Sequence, residues 1–160
     1  PASVRDFEVW KLSAVVAYAQ TNVKAGIWGK SDAAERSTNV FGKLLPDGVQ
    51  SPDHYFYVAM APDDSQPKEQ PDIAVGYVWI WIKNSVAARK AFIYDIKIDE
   101  SKQGKGYGRA LLLQTEAKAI ELGAGEISLN VFEHNYRALK LYESSGFNFV
   151  SHQMTKTLTQ

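Results

Sequence analysis

Cysteine is absent from this sequence. That excludes disulfides, thiolate metal sites and a cysteine nucleophile. It is compatible with the cytoplasm, which is the expected location. Net charge is absent as well, since 18 basic residues balance 18 acidic ones. A general binder of nucleic acid or of acidic membranes is therefore not expected. No apolar run approaches the length of a membrane span, and no signal-peptide pattern opens the sequence as given. Repeats and low-complexity segments are missing. Histidine is scarce: His54, His134 and His152 are scattered without metal-ligand spacing, so no metal is expected.

What is present describes a globular protein. The 160 residues are 45% apolar and 22% charged, which suits one domain, 1–160, with a core of its own. The most informative stretch is Gln103-Gly104-Lys105-Gly106-Tyr107-Gly108-Arg109, set between a strand-like run and a helix-like run. Glycine at every second position suits neither a strand nor a helix. It suits backbone that must come close to a ligand with its N–H groups turned toward it. A helix that starts just beyond adds its own unpaired N–H groups and its positive dipole end. Strand, glycine loop and helix start together form an anion cradle, most often for phosphate. Two common owners are excluded. A Walker loop needs Ser or Thr after Gly-Lys, where this chain has Gly106. A dinucleotide fingerprint needs two residues between its second and third glycines, where only Tyr107 stands.

In chain order, residues 2–9 suit a short first strand. A helix over Val9–Val23 follows, with Trp10, Ala14, Ala17 and Tyr18 on one face. A second helix follows Ser31-Asp32 and ends near Leu45, with Asp32 as cap and Glu35 completing a capping box. Strands are expected over His54–Met60, Ile73–Ile82 and Ala91–Ile98, the second covered on both faces and all three antiparallel. The polar stretch Pro62–Pro71 reads as a hairpin loop and Asn84-Ser85 as a turn. A helix from Gly106 to Leu122 carries a stripe of Leu112, Leu113, Ala117 and Ile120, and Gly123 ends it. A strand over Glu126–Val131, a helix over Asn135–Ser145 ended by Gly146, and a last strand over Phe147–Leu158 complete the chain. The fold class is α/β with a mixed sheet: antiparallel strands first, then a parallel pair around the glycine loop, flanked by helices.

Two segments of this pattern resemble the GNAT superfamily of N-acetyltransferases. Ile96-Lys97-Ile98 followed by Gln103-x-x-Gly106-x-Gly108 is similar to the family's acetyl-CoA motif after its fourth strand. Asn135-x-x-Ala138-x-x-Leu141-Tyr142-x-x-x-Gly146-Phe147 is similar to the motif on the helix after its fifth strand. Their order and separation also match, over about residues 73–158. The resemblance implies acetyl-CoA as co-substrate, with its pyrophosphate on the amides from Gln103 through Gly104, Lys105, Gly106, Tyr107 and Gly108 to Arg109. The pantetheine arm would lie beside the main chain of Ile96, Lys97 and Ile98 like an added strand. The thioester would point into a gap between two splayed strands, with Asn130 and Val131 on its far side. Residues of about 1–50 fall where the family builds its acceptor site, and Trp28 lies between the two helices there.

Moving an acetyl group from sulfur to an amine requires a neutral amine, a donor for the developing oxyanion and an acid for the leaving thiolate. Tyr142 matches the family's general acid, and Asn135 its asparagine near the cofactor. Tyr142 also suits a core position beside Ala138 and Leu141, and Asn135 also suits a helix cap. The base is less defined. Where many members carry a glutamate, this chain has Tyr94 and Asp95, so Asp95 or a water chain takes that role. His134 sits at a strand-to-helix corner and reads as a solvated residue. The expected function is acetyl transfer to a primary amine by direct attack. A non-catalytic acyl-CoA-binding module and a protein N-terminal or lysine acetyltransferase remain the alternatives. The amine is not named by the sequence, and the oligomeric state, a homodimer included, is left open.

Overall fold

The computed structural model describes residues 1–63, 71–84, 88–152, 154 and 156. The expected hairpin loop at 62–71 and the turn at Asn84-Ser85 lie largely outside them. The chain falls into two compact units, Pro1–Leu129 and Asn130–Gln160.

The first unit opens with helix α1, Val4–Lys24, where a short strand was expected over residues 2–9. The reason is local. Ser3 Oγ accepts from the Asp6 amide at 3.2 Å, and Asp6 returns a bond to the Ser3 amide at 3.0 Å. This capping box satisfies two orphan donors and starts the helix five residues early. The buried face is Phe7, Trp10, Ala19 and Asn22, while Ala17 and Tyr18 stay exposed. Helix α2, Ala33–Leu44, begins after Asp32 as expected, but Asp32 makes no side-chain cap. Its carboxylate pairs instead with Arg36 at 2.5 Å. Ser37 joins the two helices, donating from Oγ to the Val15 carbonyl at 2.7 Å.

Among the described residues, four strands form one sheet in the order β1-β2-β3-β4. They are β1 His54–Ala61, β2 Ile73–Lys83, β3 Arg89–Ile98 and β4 Ala124–Leu129. The first three pair antiparallel, and β3 pairs parallel with β4. The expected mixed sheet is therefore present. One face packs on α1 and α2 through Phe7, Trp10, Phe41, Leu45, Phe56 and Trp79. Burial of so many rings dominates the energetics of this half, each large side chain contributing about 1.5–3 kcal/mol. The other face meets helix α3, Tyr107–Glu121, which buries Leu111, Leu112, Thr115 and Ala119. The stripe expected from the sequence is rotated from this, since Leu113 and Ile120 are exposed. Thr115 can face the core because its hydroxyl donates to the Leu111 carbonyl one turn back, at 2.7 Å. Gly76 lets β2 and β3 approach closely: a Cβ there would stand 2.2 Å from the Lys97 carbonyl oxygen.

The second unit holds helix α4, Tyr136–Glu143, shorter at both ends than the expected Asn135–Ser145. Gly146 follows it with φ +91°, accepting a conformation that stops a helix. A last strand was expected from Phe147. Among the described residues, 147–152 belong to no strand, and positions 153, 155 and 157–160 lie outside the description.

Candidate active site

β3 and β4 pair only from Arg89–Ala124 to Ile93–Leu129. β3 continues for five more residues, Tyr94–Ile98, which among the described residues have a strand neighbour on the β2 side alone. The break coincides with a bulge. Trp79 pairs with Asp95 and Ile80 with Ile93, so Tyr94 is an extra residue in β3. A bulge bends its strand and increases the local twist, and this one falls where the pairing with β4 ends. This stretch carries Ile96, Lys97 and Ile98. One of its groups is engaged: the Ile98 carbonyl accepts from Gln103 Nε2 at 2.9 Å.

That bond also fixes the loop beyond. A short turn at Glu100–Lys102 leads to Gly104 and Gly106, with φ +82° and +86°. Left-handed backbone of this kind favours glycine. Gly106 is the N-cap of α3, with no side chain capping it. A Cβ at either glycine would meet nothing within 4 Å, so the loop faces open space. The amides of Gly104, Lys105, Gly106 and Gly108 have no partner among the described residues. Those of Gln103 and Arg109 bond within the loop, to the Glu100 carbonyl at 3.3 Å and the Gly106 carbonyl at 3.1 Å. The site thus has open N–H groups at the positive end of a 15-residue helix, suited to an anion. Such a set of donors fits a pyrophosphate.

Asp95, expected as the base, lies on the α1/α2 side of β3. Its Oδ2 accepts from Trp10 Nε1 at 3.2 Å and from the Tyr77 hydroxyl at 2.9 Å. Oδ1 is not engaged by any described residue. Burial and the adjacent Asp95 carboxylate push the Tyr77 phenol well above its ordinary range, so it stays a donor. The bulged Tyr94 stacks on Trp79 with centroids 4.4 Å apart and planes at 20°. Burial raises its phenol too.

The sequence singled out no role for His54, yet it lies in this cluster. Its Nδ1 accepts from Trp79 Nε1 at 2.9 Å, and its ring stands 6.0 Å from Tyr94 and 6.1 Å from Trp81. Burial holds its pKa below the usual imidazole range, partly opposed by Asp53. Only alternation along β1 and β2 could have hinted at it, because His54 pairs with Trp81 across the strands.

In the second unit, Asn130 and Val131 follow Leu129, beyond the end of β4, where the sequence placed them inside a strand. Asn135 caps α4: its side chain accepts from the Ala138 amide at 3.2 Å. Tyr142 is half-buried beside Phe147, ring centroids 5.7 Å apart. α4 buries none of its residues fully. His134 is exposed and stacks on Phe132 at 5.5 Å. Among the described residues no group of three His, Cys, Asp or Glu is placed to hold a metal, and no helix is long and apolar enough to cross a membrane.

A mixed sheet whose third strand runs on past its parallel partner into a glycine loop at a helix start is the arrangement of an acyltransferase of the N-acetyltransferase type. The comparisons agree. Residues 21–147 match the Acetyltransferase (GNAT) family. The chain is 35% identical over 158 residues to the uncharacterized N-acetyltransferase YycN of Bacillus subtilis, covering 99% of this chain and 96% of that one. It is 29% identical over 153 residues to YdgE, an uncharacterized N-acetyltransferase of the same organism, covering 96% and 92%. The crystal structure of YycN superposes with a TM-score of 0.86 at 33% identity, covering 100% of this chain and 97% of YycN. The chain belongs to the GNAT family of acetyltransferases.

Proposed function

We propose that this enzyme transfers the acetyl group of acetyl-CoA to a primary amine, and that residues 1–160 act as one acetyltransferase domain in the cytoplasm. The observation that carries the reading is the open edge of β3 leading straight into the glycine loop. An extended arm laid along Ile96–Ile98 would find backbone partners there, as an added strand does. A pyrophosphate at the end of that arm would fall on the amides of Gly104 to Gly108 and the α3 dipole. Asn130 and Asn135 are assigned to the same co-substrate from the motif.

In the reaction, the amine nitrogen forms a bond to the acetyl carbon as the carbon–sulfur bond breaks. Tyr142, assigned from its motif, gives its proton to the leaving thiolate. The proton of the amine leaves toward Asp95 Oδ1, directly or through water. Trp10 and Tyr77 hold the other oxygen and so fix that carboxylate's orientation. Residues of about 1–50, with Trp28 set against Tyr18 at 5.3 Å, supply the acceptor side.

Calorimetry with acetyl-CoA, followed by CoA release across a panel of small amines and peptides, tests the reading. Micromolar binding and turnover on at least one amine are expected. Binding without turnover on any amine would favour a non-catalytic acyl-CoA-binding module, and turnover on peptides alone a protein acetyltransferase. Absence of binding removes the reading altogether.

A further inference from the structure

Trp79 is buried, with 3% of its surface exposed. Its indole N–H can only donate, and it donates to His54 Nδ1 at 2.9 Å. That nitrogen must therefore offer a lone pair. In a neutral imidazole the proton then sits on Nε2. An imidazolium would carry protons on both nitrogens, and Trp79 would lose its partner in the core. Nε2 has no partner among the described residues, and it is not among the buried atoms left unsatisfied. It is thus a fixed donor reachable from solvent. A nitrogen that already carries its proton cannot accept one from an amine, so His54 is not the base.

The surroundings describe what the donor meets. Trp81 lies nearly parallel to the His54 ring, at 15°. Trp81 and Tyr94 stand 6.0 Å apart, and Phe92 meets Tyr94 edge-on at 5.0 Å. All four rings are half-buried, on the side of the sheet that also carries Trp10 and Asp95. They form a half-buried aromatic cluster with one directed N–H at its edge. Tyr94 is the bulged residue of β3, two positions before the open edge at Ile96. Among the described residues, the Asp53 carboxylate is the charge that acts on His54, and it disfavours a second anion beside it.

We propose that His54, locked by Trp79 as an Nε2–H donor, selects the acceptor: it donates to an uncharged oxygen, an amide carbonyl or hydroxyl, of an amine whose body lies against Trp81 and Tyr94. Trp79 is the positioning residue that sets the tautomer. The inference rests on the acetyl-transfer reading of this face, but its test needs no turnover. Protein labelled with ¹⁵N-histidine is examined at pH 7.5 by nitrogen NMR. His54 should show a protonated Nε2 and a bare Nδ1. Phenylalaninamide should shift the Nε2 resonance, and 2-phenylethylamine, which lacks the oxygen, should not. The amide should bind about two- to tenfold tighter than the plain amine, the size of one net neutral hydrogen bond, and tighter than phenylalanine with its carboxylate. His54→Phe should erase the difference between amide and plain amine. A proton on Nδ1, equal responses to the two amines, or no response to either would overturn the proposal. The wild-type pair decides the matter even if His54→Phe fails to fold. Acetyl-CoA binding, measured separately, would still stand or fall on its own.

Discussion

Trp10 Nε1 donates to Asp95 Oδ2 at 3.2 Å, tying α1 to β3 across 85 positions of sequence. The same oxygen takes the Tyr77 hydroxyl. Asp95→Ala removes the acceptor from two donors at once, and stability should fall by about 1–3 kcal/mol or more. Asp95→Asn keeps an oxygen and should lose less. A urea-unfolding cycle with Trp10→Phe isolates the link, with a coupling of about 0.5–3 kcal/mol expected between the two positions. Strictly additive losses would mean the bond contributes nothing.

Gly106→Val tests the anion loop. Left-handed backbone costs an ordinary residue about 1–2 kcal/mol, and a branched Cβ would enter the space the loop leaves open. The variant should remain folded, since that Cβ meets no protein atom, yet acetyl-CoA affinity should fall at least tenfold by calorimetry. Unchanged affinity would take the loop out of the site.

Tyr142→Phe keeps the ring against Phe147 and removes only the hydroxyl. Turnover should fall by roughly 10²-fold or less, at the low end for general acid catalysis, because a thiolate is already a fair leaving group. The variant should remain folded and its acetyl-CoA affinity should stay at the wild-type value. Full activity at saturating acetyl-CoA would show that the thiolate leaves without this proton.

His54 sets a pH dependence of folding. Its folded pKa is lowered by burial, with Asp53 opposing in part. Below about pH 6.5 an unfolded imidazole binds a proton that the folded one refuses. The unfolded state then holds more protons, so stability falls as pH drops from about 7 toward 5 and is flat above. Ordinary carboxylates titrate lower, near ~4, which leaves this window to histidine. His54→Gln should flatten the fall in urea midpoint between pH 7.5 and 5.5. Parallel curves for the two proteins would place the dependence elsewhere.

The centre of the site was legible because its signals are local. Glycine at 104, 106 and 108 between a strand and a helix dictates backbone shape whatever surrounds it. The bounds of β1, β2 and β3 came close for a similar reason, since alternating apolar and aromatic residues suit a pleat. The start of α1 was missed because Ala2, Val4, Phe7 and Val9 suggest a strand, while the deciding Ser3–Asp6 exchange is a matter of two hydrogen bonds. The stripe of α3 was misplaced because Leu113 and Ile120 are as apolar as Leu111 and Leu112, and only the sheet decides which are covered. The Tyr94 bulge and the Trp79–His54 bond depend on the register between strands far apart in sequence. No window of residues contains them.

The end of β3 has a further consequence for how the protein survives in a crowded solution. A strand left without a neighbour invites any extended chain to add itself, which is the first step of aggregation. Two features oppose this here. The irregular step at Tyr94 breaks the repeat that an incoming peptide would have to match. Exposed Lys97 sets a charge within the last residues of the run. A guest that needs only a few bonds and keeps no strict register is less hindered by either. On the proposed reading, the same short stretch sorts visitors by regularity, favouring the flexible arm of the co-substrate over a stray strand.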